Sequence, residues 1–177
     1  MIHDDHVALL RAGVPKRGGR WADLGSGAGA FTLALADLLG PGGQIVSIDR
    51  DDGVLRQQEA TIRSRFPDVS VEYRIADFTR PIDLTPLDGV VMANALHFHR
   101  DKLPIIQLIR GYLRPGGHLI LVEYDTDQGN PWVPYPLSYL SWEVLARQAE
   151  CAEARLLATH PSRFLGRIYS ALGRWDA

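Results

Sequence analysis

Residues 21 to 29 read Trp-Ala-Asp-Leu-Gly-Ser-Gly-Ala-Gly and constrain the chain more than any other segment. A short apolar stretch carrying one carboxylate, Asp23, runs directly into Gly25, Gly27 and Gly29, and an apolar run with helical character follows over 30–39. Glycines between a strand and a helix N-terminus let a ligand approach bare backbone, and the helix end offers N–H groups without intrahelical partners. The segment predicts a strand–loop–helix unit that holds a nucleotide-like molecule.

Strand and helix signals alternate along the rest of the chain with no low-complexity linker, which predicts an α/β fold around a parallel sheet. Strands are expected over 20–24, 44–49, 69–75, 89–94 and 118–124, and helices over 7–10, 28–39, 52–66 and 103–113. The run 89–94 is continuously apolar, as a strand buried on both faces should be. Leu39-Gly40-Pro41-Gly42-Gly43 and Leu113-Arg114-Pro115-Gly116-Gly117 each end a helix and launch a strand, since Gly and Pro stop a helix and Pro presets the turn. Beyond Tyr124 the chain is rich in Pro and aromatics up to Tyr139. A helix is expected over 137–150, with Ser138 or Ser141 near its start, then strands over 154–159 and 163–172. Their linker, His160-Pro161-Ser162, is short enough for a hairpin, so the last strand is expected antiparallel to its neighbour.

The chain has 177 residues, 46% of them hydrophobic and 23% charged, which fits one soluble globular domain spanning 1–177. A net charge of −2 gives no pull toward nucleic acid, and Arg11, Lys16, Arg17 and Arg20 read as a solvated basic face. The one cysteine, Cys151, cannot form an internal disulfide, which suits a reducing, cytoplasmic setting. No apolar run has membrane-spanning length, and the N-terminus does not read as a signal peptide. Nothing in the sequence speaks to oligomeric state.

The glycine motif alone fits two enzyme classes. Gly25-x-Gly27-x-x-Ala30 also satisfies the dinucleotide fingerprint, with Asp49 about twenty residues on, where a ribose-binding acid stands. An NAD-dependent oxidoreductase is therefore a rival. Asp23 argues against it, because two positions before the first glycine a dinucleotide-binding strand is normally apolar. A carboxylate there needs a hydrogen-bonding or cationic partner, either a ligand amino group or nearby backbone N–H groups.

Five segments in order resemble the motifs of class I S-adenosylmethionine-dependent methyltransferases, across nearly the whole chain. Asp23-Leu-Gly25-Ser-Gly27-Ala-Gly29 resembles the first motif, and Asp49 at the end of the second strand resembles the ribose-binding acid. Ala76-Asp77-Phe78 resembles the adenine-binding motif, Asn94-Ala-Leu-His97 the fourth, and Leu113-Arg-Pro-Gly-Gly117 the turn before the fifth strand. The resemblance implies a three-layer sandwich: a seven-stranded, mostly parallel sheet with an antiparallel last strand and helices on both faces. It also implies S-adenosyl-L-methionine as cofactor. Gly25, Ser26, Gly27 and Gly29 would admit its methionine and ribose portions, and Asp23 would lie near its ammonium. Asp49 would accept from the ribose hydroxyls or, alternatively, cap the following helix. Arg50 is read either as packing on the adenine edge or as exposed. Asp77 would accept from the adenine amine, with Phe78 against the ring; the alternative is an Asx turn with Phe78 in the core. Asn94 ends an otherwise apolar strand where its carbonyls meet the ligand's ammonium.

Methyl transfer from a sulfonium is an in-line displacement in which the protein mainly aligns the nucleophile and excludes water. A general base is needed only where the acceptor loses a proton. His97 is the first candidate, balanced against a structural role. If the segment stays extended, His97 and His99 share one face. A metal site from His97, His99, Glu123 and Asp125 lacks a third close histidine, so no metal is expected. His3, His6, His118 and His160 read as surface or structural. The acceptor wall is expected from the first helix and the 125–139 segment, with Trp132, Tyr135, Tyr139 and Trp142 as pocket lining or plain packing. Tyr124, Asp125 and His99 are further acceptor candidates. The sequence thus reads as a methyltransferase acting on a small-molecule acceptor, without nucleic-acid or membrane partners. The rivals are the NAD-dependent oxidoreductase and a non-catalytic domain that binds the cofactor or a partner.

Overall fold

In the computed structural model, which describes residues 1–84 and 86–176, the elements follow the order α1 (His3–Arg11), β1 (Gly19–Leu24), α2 (Ala30–Leu39), β2 (Gly43–Asp49), α3 (Asp52–Arg65), β3 (Ser70–Ile75), β4 (Leu87–Ala93), α4 (Leu103–Tyr112), β5 (Leu113–Tyr124), α5 (Tyr139–Gln148), β6 (Glu153–Ser162) and β7 (Gly166–Arg174). One 3-10 turn, Leu96–Phe98, follows β4. The strands form one sheet in the order β3-β2-β1-β4-β5-β7-β6. Pairing is parallel from β3 across to β5, and β7 is antiparallel to both β5 and β6. The expected three-layer α/β architecture with an antiparallel last strand is therefore present. Among the described residues no helix is long and apolar enough to cross a membrane.

Side chains alternate across the sheet with period two and feed two cores. Leu119 and Leu121 face the core built on α4 and α5, with Ile106, Ile109 and Trp142. Ile120 and Val122 face the opposite core with Leu10 of α1, Leu35 of α2 and Trp21. Caps set the helix ends. Asp51 accepts from Gly53 N–H and Val54 N–H at the start of α3, and Ser138 accepts from Ser141 N–H at the start of α5, each meeting N–H groups the helix leaves free. Pro104 sits in the first turn of α4, where its missing N–H removes nothing.

Several boundaries depart from the sequence expectation, α1 beginning at His3 rather than residue 7 among them, and three of them have a clear local cause. Helix α2 begins at Ala30 rather than residue 28, because Gly29 adopts φ +83° and closes the loop before the helix can start. Leu113 pairs with Leu87 before a register shift to Gly89 and His118, so β5 starts inside the Gly-Pro joint. The hairpin turn lies at 163–165, not 160–162: Pro161 belongs to β6 and pairs with Arg167. Proline is tolerated there because β6 is the sheet edge, where one row of N–H groups has no strand to meet.

Gly89 shows how tightly the central strands pack. It lies opposite Trp21 in the β1–β4 register, and a Cβ at 89 would overlap the six-membered ring of that buried indole. Gly89→Ala is expected to lower the unfolding free energy by about 1–3 kcal/mol through overpacking, with an unchanged urea slope. A urea midpoint equal to that of the parent protein contradicts this packing.

Candidate active site

The loop after β1 is folded down onto the end of β2. Gly25 N–H and Ser26 N–H both donate to the Ile48 carbonyl, at 2.9 and 3.0 Å, and Gly27 N–H donates to Asp49 Oδ2 at 2.8 Å. Gly25 and Gly27 have φ of +73° and +53°, which only glycine adopts cheaply. The three motif glycines serve different ends. A Cβ at Gly25 would lie 2.7 Å from Ala95 Cβ, and one at Gly29 would lie 2.7 Å from Gln58 Cβ, whereas one at Gly27 would meet nothing within 4 Å. Gly27 is thus the open approach, and Gly29 admits α3 rather than a ligand. Ser26 also turns inward: its hydroxyl stands 2.8 Å from that of Ser47 and accepts from Gln58 Nε2.

Gly25, Gly27, Asp49, Arg50, Phe78 and Asn94 line one cavity of about 320 Å³ at the carboxyl ends of β1, β2 and β4. That edge is where open α/β sheets take ligands. Asp49 is not the helix cap, since Asp51 fills that role. Its two oxygens accept from Gly27 N–H and Asp51 N–H and keep further lone pairs for a ligand. Asn94 has φ +52°, and its Oδ1 is buried without a hydrogen-bond partner among the described residues. A buried orphan acceptor carries a desolvation cost that a ligand N–H would remove.

Asp23 and Asp77 lie outside the lining. Asp23 is 1% exposed and accepts from the Thr32 hydroxyl at 2.6 Å. Burial, with Asp49's charge adding, pushes its carboxyl up to about 7 against the pull of the Thr32 bond. Asp77 accepts from Thr79 N–H and Oγ1 at 3.0 and 2.7 Å, the Asx turn given above as its alternative. Those bonds hold its carboxyl below the usual range.

His97 and His99 do not share a face, because the segment after β4 turns as a 3-10 helix instead of staying extended. His97 goes inward, with its Nδ1 2.7 Å from Glu123 Oε2. Glu123 Oε1 also accepts from Leu96 N–H and His97 N–H, so one fully buried carboxylate fastens the turn with three bonds. His99 turns to the cavity and packs edge-to-face with Phe78 at 5.2 Å. Burial and Arg50's charge hold it below the usual imidazole range. Among the described residues no cluster of three or more His, Cys, Asp or Glu is arranged to hold a metal ion.

The remaining acceptor candidates separate. Asp125 is occupied by Arg167 Nε (2.9 Å) and Tyr139 N–H (2.9 Å), pinning β7 to the start of α5. Tyr135 lies under Arg100 and Lys102. Trp142 is fully buried core, and Tyr139 packs edge-on to Tyr169. Tyr124 and Trp132 each meet Phe164 edge-to-face, and Tyr124 also packs near His97. Phe164 escaped the sequence reading because the turn was placed three residues early. Glu123 was legible only as a metal candidate, although a carboxylate inside the apolar run 118–124 is the same signal as Asp23 in β1.

Residues 15–159 match a family model described as a methyltransferase domain, and the chain belongs to that family. Its fold is that of the class I S-adenosylmethionine-dependent methyltransferases. Demethylmenaquinone methyltransferase of Clavibacter sepedonicus is 28% identical over 160 residues, covering 89% of this chain and 60% of that protein. Acetylserotonin O-methyltransferase of Mus musculus is 34% identical over 111 residues, covering 57% and 27%. A solved S-adenosylmethionine-dependent methyltransferase of Aquifex aeolicus superposes with a TM-score of 0.71 at 19% identity, covering 96% of this chain and 88% of that one. The chain spans less than two thirds of the length of these two curated relatives.

The raised Asp23 carboxyl sets a pH dependence. Between about 3.8 and about 7 the folded, ligand-free protein binds a proton at Asp23 that the unfolded chain releases. Its contribution to stability is full below the unfolded value and is lost as pH rises through about 7. Asp23→Asn is expected to remove this decline, so the difference in urea midpoint between variant and parent widens from pH 4 to pH 8. A difference that does not change with pH excludes a buried, proton-binding Asp23.

Proposed function

We propose that the chain, read as one domain over 1–177, binds S-adenosylmethionine in the cavity of Gly27, Asp49 and Asn94 and methylates a small-molecule acceptor. The observation that carries this reading is the polarity of the cavity. The loop's first three N–H groups are donated to β2, so a ligand meets the Asp49 carboxylate and the orphan Asn94 Oδ1. Acceptors of this kind suit ribose hydroxyls and an ammonium, and Arg50 in the same lining would stand on the adenine side. The cofactor supplies an electrophilic methyl on a sulfonium. Asp49 would hold ribose hydroxyls with its free lone pairs, Gly27 admits close approach, and Asn94 Oδ1 would accept from the ammonium. Asp23, which carries a proton in the free protein below about pH 7, would add negative charge behind the loop once a cation beside it draws that proton off.

His97 is proposed as the base for acceptors that lose a proton. With Nδ1 turned to the Glu123 carboxylate, Nε2 would be the nitrogen left to take a proton from the acceptor. That is the base-and-orienter arrangement of acid–base catalysis. A single cysteine, half-buried and with its thiol pushed up to about 12 by burial, supports placing the protein in a reducing cytoplasm.

Asp49→Ala is expected to weaken binding of S-adenosylhomocysteine by roughly 1.5–3 kcal/mol in calorimetry, through loss of charge-assisted bonds. An unchanged affinity overturns the ribose role. His97→Asn keeps an N–H facing Glu123 while removing the base. It should lower kcat by about a hundredfold or more and leave cofactor affinity unchanged; an unaltered kcat assigns His97 to structure alone.

A further inference from the structure

We propose that the acceptor is a planar aromatic molecule, seated on a ledge of rings whose outer wall is Phe164 at the tip of the β6–β7 hairpin. The proposal rests on the cofactor reading above and concerns the ground beside that cavity. Topology supplies the wall. Because β7 alone runs antiparallel, β6 ends at the same sheet edge as β1, β2, β4 and β5, and the 163–165 turn stands at that edge. The reach of the hairpin depends on Pro161 and Ser162 continuing the strand, which carries the tip past the end of β5.

Ring contacts then run without a break from the cavity outward. Phe98 lines the cavity, and its ring centroid is 4.4 Å from that of His97. His97 lies 6.1 Å from Tyr124, Tyr124 meets Phe164 edge-to-face at 5.7 Å, and Phe164 meets Trp132 edge-to-face at 6.3 Å. The outer rings are not core. Trp132 is 71% exposed, Phe98 55% and Phe164 50%, whereas the core is already filled by the buried Trp21, Trp142 and Tyr169. A single exposed apolar side chain is ordinary, but Phe164 and Trp132 are exposed together, and half-buried Tyr124 and buried His97 link them to exposed Phe98 at the cavity; a cluster so placed beside a ligand cavity marks a binding surface.

The ledge is held in place before any ligand arrives. Asn130 Oδ1 accepts from both Trp132 N–H and Val133 N–H at 2.9 Å, and buried Val133 anchors that turn. Asp125 ties the start of the same segment to Arg167 of β7 and to Tyr139 at its far end. Tyr135 N–H donates to the His97 carbonyl at 2.9 Å, which fixes the segment to the 3-10 turn. Edge-to-face pairing leaves ring faces free, and a further flat ring gains quadrupolar contacts there that an aliphatic ring of equal size does not. Ring recognition, rather than apolar area alone, is therefore what this surface can select.

The test uses 2-naphthol and its saturated counterpart trans-2-decalol, titrated calorimetrically into the full chain saturated with S-adenosylhomocysteine. 2-Naphthol is expected to bind about tenfold more tightly than the decalol, and Phe164→Leu and Trp132→Leu each to remove most of that preference. The Kd for S-adenosylhomocysteine should stay unchanged in both variants, which shows that each is folded. Equal affinity for the two probes, no binding of 2-naphthol, or variants that keep the preference would overturn the aromatic ledge while leaving the cofactor site standing. Failure of S-adenosylhomocysteine to bind the parent protein would instead overturn the cofactor reading, and this one with it.

Discussion

The site depends on where the glycine loop sends its backbone N–H groups. A glycine loop leading into a helix N-terminus is ordinarily an anion cradle, because free N–H groups and the helix dipole both face the ligand. Here Gly25 and Ser26 donate to Ile48, and Gly27 donates to the Asp49 carboxylate. The loop therefore shows a ligand a carboxylate where a phosphate-binding loop would show donors. Asn94, whose φ is positive and whose buried Oδ1 has no hydrogen-bond partner among the described residues, extends the same polarity across the cavity. Two loops on neighbouring strands thus agree in the sign of charge they invite.

Two carboxylates buried in apolar strands hold this arrangement from beneath. Glu123 accepts three bonds and fixes the turn that follows Asn94. Asp23 accepts from Thr32 and sits close enough to Asp49 for that charge to add to the raising of its own carboxyl by burial. The contrast between them is instructive. Glu123 has its donors within the chain, so its role is complete without a ligand. Asp23 has one, and its raised carboxyl marks an electrostatic strain that a nearby cation would relieve.

Most of the scaffold was legible because strand ends and helix starts leave strong local marks. The order of signals at Asp23, Asp49, Asp77, Asn94 and Pro115 gave both the parallel sheet and the edge that carries the cavity, and the short final linker gave the antiparallel β7. What escaped depended on conformation that local pattern does not fix. The His97–His99 pairing assumed extended backbone, whereas the segment is a 3-10 turn fastened by three bonds to the Glu123 carboxylate. Gly29 looked like ligand-facing backbone, yet its missing Cβ admits Gln58. Pro161 looked like a turn residue, yet an edge strand accepts it, and the shift brought Phe164 to the site.

The most direct measurement is calorimetric titration of the intact chain with S-adenosylmethionine, S-adenosylhomocysteine and NAD⁺ side by side. The acceptors Asp49 and Asn94, placed for ribose hydroxyls and an ammonium, predict saturable binding of the first two and much weaker binding of the dinucleotide. Binding of NAD⁺ as tight as that of S-adenosylmethionine would contradict it.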